Sequence, residues 1–142
     1  MRVVKTPDGP VPYAVVGDED LVVSPIQDFL RYLAARSFSV KTIRAYAYDL
    51  LSYWEWLYLA GKDFTGVTSE DLLEFIEWQK TIDNPQRPDT NVYRITDGTS
   101  SGLSVLTINR RLAAISGFYR YHMLQNPGIK RNPVPAYQQN RS

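Results

Sequence analysis

Residues 39–61 read SVKTIRAYAYDLLSYWEWLYLAG. Val40, Ile43, Ala47, Leu50, Leu51, Trp54, Leu57 and Tyr58 recur with the period of one helix face, so the stretch predicts a long amphipathic helix. Ser39 is a suitable N-cap, because its hydroxyl can accept an orphan backbone N–H. Gly61 suits the left-handed residue that ends a helix. Lys41, Ala45, Tyr48, Asp49 and Ser52 fall on the opposite face.

Three more helices are expected around this one. Upstream, Ser24 reads as an N-cap, Pro25 suits the first helical position, and Gln27 has capping-box spacing. Ile26, Phe29, Leu30 and Leu33 then share a face, and the pattern fades near Ser37. Downstream, after FTGV, Thr68 or Ser69 caps EDLLEFIEWQK, with acid early, where the helix dipole favours it. Leu72, Leu73 and Ile76 are expected to face inward. The last helix runs from about Ser104 to about Gln125. Val105, Ile108, Leu112, Ile115 and Tyr119 form its stripe, with Phe118 at the border. Asn126, Pro127 and Gly128 stop it.

The rest is less regular. Residues 1–23 mix short apolar runs with the turn signal TPDG, and a small hairpin or a loose arm both fit. Residues 81–103 hold prolines, glycines and many small polar residues. They read as an exposed insertion with a short extended piece at NVYRI. The tail IKRNPVPAYQQNRS reads as the start of a linker. No internal repeat stands out. The expected fold class is all-α, a bundle of four to five helices with an N-terminal arm or small hairpin.

Composition narrows the chemistry. The 142 residues suit one domain with a proper core. Cysteine is absent and His122 is the one histidine, so thiolate chemistry, disulfides and multi-His metal sites are excluded. A reducing cytoplasm fits this composition. No signal peptide is expected at the start, and the apolar run at 50–60 is too short for a bilayer. Glu70, Glu74 and Glu77 read as a solvated acidic face, and His122 as a packed or exposed side chain. Trp54, Trp56 and Trp78 read as core or interface, with Tyr48 and Trp56 half exposed. No GxGxxG, Walker loop, HExxH or GxSxG occurs, so no cofactor is expected.

Charge is uneven although the net is +1. Residues 1–103 carry ten basic and fifteen acidic side chains; residues 104–142 carry six basic and none acidic. Such a basic arm suits a polyanion. Arg110 and Arg111 sharpen the point. They sit in the first turns of the last helix, where the dipole disfavours cations, so an anion is expected to offset them. Arg110 is expected to point to solvent, with Thr107 and Arg111 on one flank and Asn109 on the other. Ala113, Ala114 and Gly117 follow on that side as small residues. Arg, Asn and Thr are the types that bond base edges and phosphates. The plainer reading pairs the two arginines with acids of the third helix. Lys41, Thr42 and Arg44 repeat the design at the start of the 39–61 helix.

The ordered set SVKTIRAYAYDLLSYWEWL, VTSEDLLEFIEW, LTINRRLAAISGFYRYH and IKRNPVP resembles the amino-terminal core-binding domain of tyrosine recombinases, the phage-integrase family. The resemblance covers about 24–135 and implies a SAM-like bundle. It makes 1–23 an arm and 136–142 the start of a linker to an absent catalytic domain. It implies half of a clamp on duplex DNA. Lys41, Thr42, Arg44, Thr107, Asn109, Arg110 and Arg111 would be groove contacts, and Lys130 and Arg131 would approach the backbone. It also implies a full-length enzyme that cleaves and rejoins DNA through a 3′-phosphotyrosyl link, without metal or nucleotide cofactor, as a tetramer. The family's catalytic pattern is not matched here: no His-x-x-Arg starts at His122, and Tyr137 lacks such companions. The chain is therefore expected to bind DNA without cutting it. A helical protein-interaction domain is the competing reading. A helix-turn-helix regulator is disfavoured by the long insertion before the last helix.

Overall fold

The computed structural model describes residues 1–82 and 103–135. The expected insertion, including its NVYRI piece, falls almost wholly outside the described residues, as do Tyr137 and the linker from 136 on. Among the described residues, four α-helices follow a two-stranded hairpin: β1 (Arg2–Lys5), β2 (Tyr13–Val16), α1 (Ser24–Ala35), α2 (Val40–Ala60), α3 (Ser69–Gln79) and α4 (Val105–Gln125). Single 3-10 turns lie at Asp18–Asp20 and Phe64–Gly66.

Helix α2 is the centre, as its length suggests. The Ser39 hydroxyl accepts the Thr42 N–H at 3.1 Å, and Gly61 ends the helix at φ 66°. Its burial differs from the one-stripe reading. Val40 and Tyr58 are exposed, whereas Asp49, Ser52, Tyr53 and Trp56 are buried. A helix packed against α1, α4 and the hairpin has neighbours on several sides, so a single stripe cannot describe it. Trp56 lies between Tyr53 and Phe75, at ring distances of 6.2 and 5.4 Å, and is core.

The other helices differ in detail. Helix α1 starts at Ser24, one residue earlier than a Ser24 cap implies, and its N-cap is Val23. The Val23 N–H bonds to the Val15 carbonyl at 2.9 Å, so the hairpin fixes the helix start with no side-chain cap. Helix α3 has a full capping box: Thr68 accepts the Asp71 N–H, and Asp71 accepts the Thr68 N–H. It buries Leu72, Phe75 and Gln79, while Leu73 is exposed.

The hairpin pairs Arg2 with Val16 and Lys5 with Tyr13. Val11 and Val15 join the helices' core, so residues 1–23 pack as part of one body. The tail is also part of it as far as Pro135. Ile129, Pro133 and Val134 are buried. Asn132 Nδ2 donates to the Ser116 carbonyl and hydroxyl, both at 3.1 Å, and the Ser69 hydroxyl donates to the Pro133 carbonyl at 2.9 Å.

A short repeat does exist. Ser39-Val40-Lys41-Thr42-Ile43 and Ser104-Val105-Leu106-Thr107-Ile108 share four of five residues, and each opens a helix of 21 residues. In both, the serine hydroxyl accepts the threonine N–H and bonds the threonine hydroxyl.

Candidate DNA-binding face

The two duplicated helix starts carry most of the candidate residues. The duplicated cap determines what each position does. In both copies the isoleucine turns inward and the serine and threonine serve the cap. The residues left to project are Val40, Lys41 and Arg44 in α2, and Val105, Leu106, Asn109 and Arg110 in α4, all exposed. Thr107 is buried and Thr42 half-buried, each bonded to its capping serine. Their hydroxyls therefore serve the helix starts. Lys130 and Arg131 are exposed on the segment after α4.

Arg44 lies over Tyr48, its guanidinium carbon 4.9 Å from the ring centroid. That cation–ring contact, one turn along α2, steadies the arginine while leaving its donors outward. Tyr48 precedes Asp49, which supplies the anion that the adjacent arginines demand. Asp49 is 2% exposed and faces α4. Arg110 Nε donates to Asp49 Oδ2 at 3.1 Å and Arg110 Nη2 to Oδ1 at 2.6 Å. Arg111 Nε lies 3.8 Å from the same Oδ1. The offsetting anion is therefore built into α2, and it comes neither from DNA nor from the acids of α3. Burial pushes the Asp49 carboxyl up, against Arg110 and then Arg111, which favour its charged form.

The two arginines have different environments. The Arg110 side chain is 55% exposed, so it is paired yet accessible. Arg111 is 4% exposed, and its Nη1 donates to Gln79 Oε1 of α3 at 3.3 Å. Burial pulls its guanidinium down from the usual range. Arg111 thus ties α2, α3 and α4 together from inside, and its expected place on the flank of an open face is not what the structure shows. Ala114, expected beside it outside, is buried too. A joint Arg110→Ala and Arg111→Ala substitution would strand the buried Asp49 carboxylate, so it cannot leave the fold untouched.

Residues 26–88 match the family model for the phage integrase N-terminal SAM-like domain. A stretch of 112 residues is 33% identical to the tyrosine recombinase XerC of Chlorobaculum parvum (strain DSM 263 / NCIMB 8327). The chain carries a tyrosine-recombinase SAM-like domain. The XerC alignment covers 77% of this chain and 29% of that relative's length. No solved structure matches the chain significantly. Within this SAM-like domain the family model spans α1 to α3, so α4 and its arginines lie beyond it.

Sequence reasoning missed Asp49 because it sits on the face that a 3.6-residue stripe assigns to solvent, and missed Gln79 because a polar side chain at a stripe position, seven residues after Leu72, was not weighed as core. The available signal was that Asp49 is the first acid in α2, amid apolar neighbours. No group of three or more His, Asp or Glu able to hold a metal occurs among the described residues. No described helix is long and apolar enough to cross a membrane.

Proposed function

We propose that this SAM-like domain binds duplex DNA through the projecting residues of the α2 and α4 starts, as the core-binding half of a site-specific recombinase. Lys41, Arg44, Asn109 and Arg110 are the proposed groove contacts, and Lys130 and Arg131 the backbone contacts. Thr42 and Thr107 order the helix starts that carry them, and Arg111 holds the helices at a fixed spacing. In the full-length protein, the partner would be a catalytic domain that cleaves and rejoins strands through a 3′-phosphotyrosyl link, as a tetramer on DNA, in the cytoplasm and without a cofactor.

The observation that carries this reading is the duplicated cap with different exposed residues. The two starts devote the same residues to structure and leave cations and amide donors outside. Phosphates attract such cations without regard to sequence, and base edges accept the same donors. A second reading rests on the cleft of about 710 Å³ lined in part by Trp54, Tyr58, Phe64 and Trp78, with Tyr58 75% exposed at its rim. Such an aromatic cleft suits a protein partner.

Fluorescence anisotropy with labelled duplex, titrated with salt from low ionic strength, separates them. A steep linear fall of log K with log salt supports DNA binding. Absence of binding at low salt would overturn it and leave the cleft as the functional surface.

A further inference from the structure

We propose that Asp49 is a positioning residue that sets base specificity, holding Arg110 so that one edge of its guanidinium reads a guanine. The inference rests on the DNA-binding reading above and deepens it.

The argument is one of donors. A guanidinium has five N–H donors in a rigid plane, with a side-on edge made by Nε and Nη2 and an end-on fork made by Nη1 and Nη2. Asp49 takes the side-on edge, through Nε at 3.1 Å and Nη2 at 2.6 Å. Nη1 has no partner among the described residues, and the side chain is 55% exposed. The end-on fork is therefore left open and fixed in direction. A fork of two parallel donors matches the paired acceptors O6 and N7 of guanine in the major groove.

Burial makes the hold firm. Asp49 is 2% exposed on a long helix, and Arg111 stands on its other side at 3.8 Å from Oδ1. The carboxylate cannot swing away with its ligand, as a surface acid would. It also offsets the charge of Arg110, so this arginine adds direction to binding more than attraction. A free arginine would find any phosphate; a neutralised and fixed one discriminates by shape.

The test is selection of duplexes from a randomised pool by the 142-residue chain, its Asp49→Asn variant and its Arg110→Lys variant, followed by sequencing. The wild-type chain is expected to enrich guanine at one position by about tenfold over other bases. Asp49→Asn should lose that enrichment while binding generic duplex equally or more tightly, since a negative charge has gone. A merely structural role would instead weaken both. Arg110→Lys keeps a cation for Asp49 and removes the fork, so it should lose the enrichment with an unchanged salt slope. It decides the matter if Asp49→Asn melts too low to assay. Replacing the enriched guanine by 7-deazaguanine should also cost about tenfold, because N7 is removed. Unchanged affinity there would mean that a phosphate fills the fork, and would overturn the base-reading assignment. A guanine preference that survives Asp49→Asn or Arg110→Lys, or no guanine preference in the wild type, overturns it as well. Failure of the wild-type chain to bind any duplex at low salt is a different result, and sinks the DNA-binding reading itself.

Discussion

Arg111 and Arg110 are neighbours with opposite consequences for mutation. Arg111→Ala removes a buried partner of Asp49 and Gln79, and should lower unfolding free energy by about 3 kcal/mol. Arg110→Lys should cost far less, since its end stays in solvent. Chemical denaturation of both variants checks this. The tyrosine pair makes a second asymmetric case. Tyr119 donates to the Phe64 carbonyl at 2.6 Å, so the Tyr53 hydroxyl donates to Tyr119 at 2.6 Å. Tyr119→Phe leaves the buried Tyr53 hydroxyl and the half-buried Phe64 carbonyl without this partner and should cost about 2 kcal/mol; Tyr53→Phe leaves no donor stranded and should cost about 1 kcal/mol. His122 offers a pH readout, being the one histidine. Burial pulls its imidazole below the ordinary value, against the Pro25 carbonyl bond and Asp28. The unfolded chain therefore takes the proton first as pH falls below about 6.5. Stability should drop between there and the lower folded value, and His122→Gln should flatten that drop in melting curves taken from about pH 7.5 to about pH 5.5.

At the scale of elements, the helix starts were legible and the helix circumferences were not. Ser39, Thr68, Ser104 and Gly61 act through bonds to residues three or four positions away, so local spacing is enough to find them. Ser24 failed as a cap because Val23 is held by Val15 of the hairpin, a bond made by a different element. Asp49 and Trp56 differ from their expected places for the same kind of reason: each is buried by a neighbour that the local period cannot see. The duplicated cap yields a paired prediction. Ser39→Ala and Ser104→Ala each remove the same bond and should each cost about 1 kcal/mol, measured by thermal unfolding. Equal costs would show that the two starts are structurally equivalent, with their exposed residues left free to differ.

For the whole molecule, the family and helical class could be read in advance because they follow from ordered motifs. The candidate site was legible in its exposed members, Lys41, Arg44, Asn109 and Arg110, and illegible where a cation turned inward, as Arg111 does. Charge asymmetry along the chain counts both kinds alike. Binding experiments do not: Lys41→Ala with Arg44→Ala should lower the slope of log K against log salt by about one for each phosphate left without its cation, with the melting temperature little changed. The segment after α4 has a mechanical consequence. Asn132 is pinned to Ser116 in the middle of α4, and Pro133 is pinned to Ser69 at the first turn of α3. Tension applied beyond Pro135 is thus divided between two helices that are far apart in the chain. A pull at Pro135 would therefore load α3 and α4 together, through the Ser69 and Asn132 bonds, before it loads either helix alone.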